Sequence, residues 1–262
     1  MSTYYNIGED LYIEVKYQEA YDYFKKALDN NEEINSSKNY MGCCLIGLGK
    51  YEKAINIFDS ILKNILWERP MFNKGRAYLK LENYTEAFAC FNRALMINQE
   101  NADVYYYLGV YYEKIKDYIK AKEYYLKSIE IDDTQAEPHL NLGLVYFHLN
   151  EFELSVEESK KVLEIDINYV DAKANIGFVL YIQKKYEEAL KVLLEVIEIE
   201  PNAIDVMNEI ANSFYYIRNY YSCLSWLNRI LEIDRTNKEA SRHKEIVLRK
   251  ICKNEESSNN FD

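Results

Sequence analysis

The sequence predicts an all-α fold, a solenoid of about seven helix-turn-helix repeats closed by a C-terminal capping helix. Three observations carry this. A small residue recurs at Gly8, Gly42, Gly75, Gly109, Gly143, Gly177 and Ala211, at intervals of 34, 33, 34, 34, 34 and 34 residues. An aromatic residue recurs in the same register at Tyr17, Tyr51, Tyr84, Tyr118, Phe152, Tyr186 and Tyr220. Between and around them, apolar residues fall at helical rather than strand spacing. A fixed period of this size means stacked supersecondary units, each packing on its neighbours, instead of one core.

Counting Met1 as slot 1 of the first unit, slots 4, 7, 8 and 11 form an i, i+3, i+4, i+7 stripe, and slots 20, 24 and 27 form a second. Each unit therefore reads as two helices, with short turns such as Gly49-Lys50 and Asn150-Glu151 between them. Slot 20 is small throughout (Ala20, Ala54, Ala87, Ala121, Ser155, Ala189, Cys223), so slots 8 and 20 are expected to mark the helix crossing, with the slot-17 ring wedged beside it. Gly inside a helix costs roughly 1 kcal/mol relative to Ala, so its recurrence needs such a packing reason. Slot 7 is apolar in most units, with Lys74 the exception. Second helices end in a shared phrase, as in Ile129-Glu130-Ile131-Asp132 and Leu231-Glu232-Ile233-Asp234. Pro70 and Pro138 fall in slot 3, where the first helical turn tolerates a missing N–H.

The units are placed at 1–34, 35–67, 68–101, 102–135, 136–169, 170–203 and 204–237. The residue missing between Phe58 and Gly75 predicts a tighter turn near Asn64 to Trp67. Residues 238–253 read as a capping helix, with Ala240, His243, Val247 and Ile251 on one stripe, and the polar segment 254–262 as a disordered tail.

This pattern resembles the tetratricopeptide repeat family over nearly the whole chain. The fourth unit carries it most fully, with Tyr105, Leu108, Gly109, Tyr112, Ala121, Tyr125 and Ser128 at slots 4, 7, 8, 11, 20, 24 and 27. Departures are Ser159 and Leu193 at slot 24, and a slot-32 proline only at Pro201. The resemblance implies a right-handed superhelical solenoid whose first helices line a concave groove. It also implies that slots 2, 5, 9, 12 and 13 face that groove. Some members grip a terminal carboxylate with a slot-5 lysine; no slot-5 residue here is lysine, so that clamp is not expected.

On these slots the candidate ligand-binding residues are Phe72, Arg76, Tyr106, Leu140, Leu144, Phe147, Phe178, Tyr181, Asn212 and Tyr215. Their apolar and aromatic bias fits a groove that buries side chains of a peptide or amphipathic helix, or else surface packed between adjacent units. Acids recur at slot 2 (Asp103, Glu137, Asp171, Asp205), either bordering the groove and attracting basic ligand groups or complementing the helix N-termini.

Composition narrows the function further. Against 32 basic residues stand 43 acidic ones, a net charge of -11, which disfavours nucleic acid and anionic membrane surfaces. No apolar run approaches the ~20 residues of a membrane span, and the start of the chain shows no signal peptide. Five unpaired-looking cysteines fit a reducing, cytoplasmic setting. His139 and His148 stand nine residues apart, and Cys43-Cys44 point to different sides of one helix, so no metal or other cofactor is expected. No nucleophile or phosphate-binding motif is present, and no enzyme activity is expected. The expected function is a non-catalytic scaffold binding a protein or peptide partner. The alternative is a homo-oligomer stacking through its terminal repeats.

Overall fold

The computed structural model describes residues 3–259, with side chains described through Lys253. The described residues form fifteen α-helices and no strand. In chain order they are α1 (Tyr4–Ile13), α2 (Tyr17–Asp29), α3 (Ile34–Gly47), α4 (Tyr51–Leu62), α5 (Glu68–Lys80), α6 (Tyr84–Ile97), α7 (Ala102–Lys114) and α8 (Tyr118–Ile131). There follow α9 (Ala136–His148), α10 (Phe152–Ile165), α11 (Val170–Ile182), α12 (Tyr186–Ile199), α13 (Ile204–Tyr216), α14 (Tyr220–Ile233) and α15 (Lys238–Asn259). They group into two compact units, Met1–Asp133 with four helix pairs and Thr134–Asp262 with three pairs and α15. The helix α15 runs past Lys253 into the segment expected to be disordered, and residues 260–262 lie outside the described ones.

Five of the seven pairs are held by the contact between slots 8 and 24. A Cβ added to Gly109 would sit 2.5 Å from the Tyr125 ring, and one added to Gly8 would sit 2.8 Å from Phe24. Phe58 lies in the same way on Gly42, Phe91 on Gly75 and Leu193 on Gly177. The slot-24 side chain thus rests on bare backbone, and Phe24, Phe58, Phe91, Tyr125 and Leu193 are fully buried. Slot 20 is buried as expected, and in these five pairs the atoms nearest the glycine belong to slot 24, which the sequence reading does not pair with it. In four pairs the slot-17 ring meets a slot-12 ring, as in Tyr12–Tyr17 (5.6 Å between centroids) and Tyr181–Tyr186 (5.8 Å).

The α9–α10 pair replaces the ring with hydrogen bonds. Ser155 Oγ donates to the Gly143 carbonyl (2.7 Å), and Ser159 Oγ donates to the Ser155 carbonyl (3.0 Å). From α11, Asn175 Nδ2 donates to both serine hydroxyls (2.9 and 2.7 Å), so these buried polar groups are satisfied. One turn away, the nearly buried Glu158 carboxylate takes His139 Nδ1 at 2.6 Å and accepts from Lys161 Nζ at 2.8 Å. Burial opposes ionisation of Glu158, but bonds to His139 and Lys161 outweigh it and hold the carboxyl below its usual value. The exceptional Lys74 leaves the core sideways to pair with Asp59 at 2.6 Å.

The turns within pairs are one backbone device used seven times. Slot 15 is left-handed at Val15, Gly49, Glu82, Lys116, Asn150, Lys184 and Arg218, with φ between 58° and 70°. In each turn, the slot-16 N–H bonds the slot-11 carbonyl and the slot-15 N–H the slot-12 carbonyl, as Asp117 to Tyr112 and Lys116 to Glu113 (both 2.9 Å). Only one of these positions is glycine, and Val15 is β-branched, the worst class for this conformation. Three turns between pairs use a slot-31 acid or amide, Asn98, Asp166 and Asp234: Asp166 Oδ1 accepts from Asn168 N–H and Asp234 Oδ1 from Thr236 N–H, both 2.9 Å.

The missing residue does not tighten a turn. It shortens α4 to 12 residues, against 14 in α6, and leaves residues 63–67 between α4 and α5. A helix end can surrender its last bonds to water, whereas a connection must still span to the next helix start.

Gly109→Ala gains about 1 kcal/mol of helix propensity but forces the Tyr125 ring off the backbone, an overpacking cost of about 1–3 kcal/mol, so thermal unfolding should show net destabilisation. Gly143→Ala, whose nearest atoms would lie 3.3 Å away, should stay within about 0.5 kcal/mol of the parent. Val15→Gly should stabilise the first pair by about 1 kcal/mol, read as slower amide exchange in α1 and α2. For Glu158, a depressed folded pKa means its contribution is present above the unfolded carboxylate value of 4.5 and lost as pH falls through the lower folded value. The stability difference between parent and Glu158→Gln should therefore be large near neutrality and shrink on acidification; a difference independent of pH would contradict the ion-pair assignment.

Candidate functional site

The unit Thr134–Asp262 encloses an open cavity of about 400 Å³ between its first helices and α15. On α11, Phe178, Tyr181 and Ile182 stand at i, i+3 and i+4 and form one apolar wall, to which α9 adds Phe147. On α13, Asp205, Asn208, Glu209 and Asn212 stand at i, i+3, i+4 and i+7 and form a polar stripe facing the same space. The rim is completed by Glu239 from the first turn of α15. The opposite face of α13 is spent on the core, where Val206, Met207, Ile210 and Ala211 are buried.

The polar stripe is electrostatically loaded. Asn212 Nδ2 donates weakly to Glu209 Oε2 (3.4 Å). Burial pushes the Glu209 carboxyl up, the Asn212 bond opposes this, and the charges of Glu239 and Asp205 raise it further. On the apolar wall, burial raises the Tyr181 phenol well above its ordinary range, with the Glu209 charge adding to the effect. His243, on α15, is lowered by burial against the opposing pull of Glu239, and its ring packs on Tyr215 at 5.2 Å.

Of the residues expected from sequence, Phe147, Phe178, Tyr181 and Asn212 meet in this cavity. Tyr215 packs against His243 and Tyr220 instead. Leu140 is buried and Leu144 packs with it against Val162 and Ala172. In the unit Met1–Asp133, Phe72 is buried and its ring meets Tyr107 at 5.3 Å. The Arg76 guanidinium lies 5.7 Å from Phe72 and 5.1 Å from Tyr107, and donates to Asn73 Oδ1 at 3.1 Å. Tyr106 packs on Tyr107 and Tyr125. These three stand in aromatic packing.

Sequence reasoning did not select Glu209, Ile182 and Glu239. The Asp205–Asn212 stripe was available as an i, i+3, i+4, i+7 pattern of polar residues, but Glu239 carries no signal until α15 is placed. The buried thiols are inert: burial raises Cys43 and Cys90 to about 11 and Cys44 and Cys223 to about 12. Cys43 and Cys44 also enter different core clusters. Among the described residues no group of three or more His, Cys, Asp or Glu side chains could hold a metal ion, and no helix is long and apolar enough to cross a membrane.

Comparison with known proteins places this architecture. Residues 75–116 match the family described as TPR repeat, and 40–64, 102–135, 136–168 and 170–199 match families described as tetratricopeptide repeat. Among solved structures, the chain is similar to the Cut9–Hcn1 hetero-tetramer of the APC/C, with a TM-score of 0.75 and 16% identity over 92% of this chain and 48% of that one. It thus spans about half the length of that relative. PilF of Pseudomonas aeruginosa gives a TM-score of 0.72 at 14% identity, covering 80% of this chain and 96% of that one. YrrB, a TPR protein with an unusual peptide-binding site, gives 0.62 at 22% identity, covering 71% and 96%. No curated protein sequence matches the chain. Repeat matches from residue 40 to residue 199, on helix pairs built to one register, show that the chain belongs to the tetratricopeptide repeat family.

Proposed function

We propose that this chain is a non-catalytic protein-interaction scaffold, and that the α9–α11–α13 face of Thr134–Asp262 binds a peptide or helical segment of a protein partner. The observation that carries this is the open cavity walled by Phe147, Phe178 and Tyr181. These side chains are only partly covered by their own chain, so a ligand's apolar groups gain burial there, at about 25 cal/mol per Å² removed from water. Convergent amides and carboxylates beside an apolar wall are the usual make-up of an orienting site. Supporting it, the similar fold of YrrB is that of a TPR protein with a peptide-binding site. The four buried cysteines with raised thiol pKa values offer no nucleophile.

The test is affinity capture with the full chain and with Phe147→Ala/Tyr181→Ala, each quantified by mass spectrometry. Proteins recovered by the parent should fall at least about fivefold with the double variant, as loss of two aromatic anchors implies, while its far-ultraviolet circular dichroism stays helical. Equal recovery by a folded double variant would sink this reading.

A further inference from the structure

We infer that the cavity between α9, α11, α13 and α15 receives a basic side chain, arginine or lysine, of the bound peptide; this deepens the peptide-binding reading and rests on it. Charge in the cavity is unbalanced. Asp205 and Glu209 stand four residues apart on α13, where like charges repel, and Glu239 faces them from α15. No lysine or arginine among the described residues forms an ion pair with any of the three, although elsewhere in the same unit Lys161 pairs with Glu158 and Lys173 with Glu195. His243, which feels the Glu239 charge, is driven toward neutrality by burial. Glu209 is half-buried, and its one hydrogen bond among the described residues is the long one from Asn212. A carboxylate so placed is stabilised by a cation brought from outside.

The lining also selects the kind of cation. The three carboxylates are not disposed to hold a metal ion, since no metal-competent cluster exists among the described residues. The opposite wall is aromatic, and Phe147, Phe178 and Tyr181 supply no hard ligands. Rings beside carboxylates suit an organic cation on an alkyl stem: the stem lies on the apolar wall, the head reaches the acids, and a ring face attracts it within about 6 Å. A cavity of about 400 Å³ admits such a side chain with its flanking backbone at the mouth. The chain's net charge of -11 favours encounter with a basic segment.

The experiment selects a random dodecapeptide library, displayed on phage, on the full chain and on Asp205→Asn/Glu209→Gln. On the parent, enriched peptides should share one arginine or lysine position beside apolar positions. On the variant, the apolar positions should persist and the basic one should disappear. For the best enriched peptide, replacing that arginine with citrulline should weaken binding to the parent at least about tenfold and to the variant by less than about twofold. Enriched peptides with apolar positions but no basic one would overturn this inference and leave the peptide reading standing. A basic position surviving on the variant would also overturn it. No enrichment at all would remove the peptide reading and this inference together.

Discussion

Everything in this molecule depends on a side chain lying on a peptide backbone. In five helix pairs the slot-24 residue occupies the space a Cβ would need at slot 8, which sets how closely the two helices approach. The glycine costs about 1 kcal/mol of helix propensity, and full burial of a large apolar side chain returns about 1.5–3 kcal/mol. The trade is favourable within each pair, so the chain can repeat it without a common core. Where the ring is absent, the same approach is reached by other chemistry. Ser155, Ser159 and Asn175 stitch α9, α10 and α11 with hydrogen bonds, and in the α13–α14 pair Ala211 is matched with Leu227, both buried.

Because that contact consumes one face of every first helix, the remaining face is available for something else. In the unit Thr134–Asp262 that face is left open, with the Asp205–Asn212 stripe opposite aromatic rings. In the unit Met1–Asp133 the equivalent slots are occupied by the chain itself: Tyr40 stacks on Phe24 at 4.9 Å, and Arg76 sits by Phe72 and Tyr107. One repeat grammar therefore carries ring and guanidinium packing on these slots in one unit and lines a ligand-sized cavity with them in the other.

The period, the two-helix unit and the identity of the packing slots were legible because steric demands recur and leave the same residue types behind. The partner of the glycine was not, since alanine at slot 20 and an aromatic at slot 24 are both buried and only distance separates them. The loss of one residue before Gly75 was visible, but its cost fell on the end of α4 rather than on the connection, a choice that rests on solvation of frayed carbonyls. At the cavity, Phe147, Phe178, Tyr181 and Asn212 followed from slot numbers, whereas Glu239 depends on how α15 packs on α14, which no periodicity encodes.

The place of the slot-15 turn was legible, at Gly49-Lys50 and Asn150-Glu151, but its left-handed geometry was not, and the reason has a consequence. Its geometry is fixed by two main-chain bonds, so the side chain there is left exposed and unconstrained: valine, glycine, glutamate, lysine, asparagine and arginine all occur. These corners are places where the protein's outward chemistry can change without its architecture registering the change. Charge, modification or an attached probe at Lys116 or Lys184 would alter what neighbours sense while leaving the helix pair beneath it untouched. The same corners let a lineage of such proteins drift in surface character at constant shape.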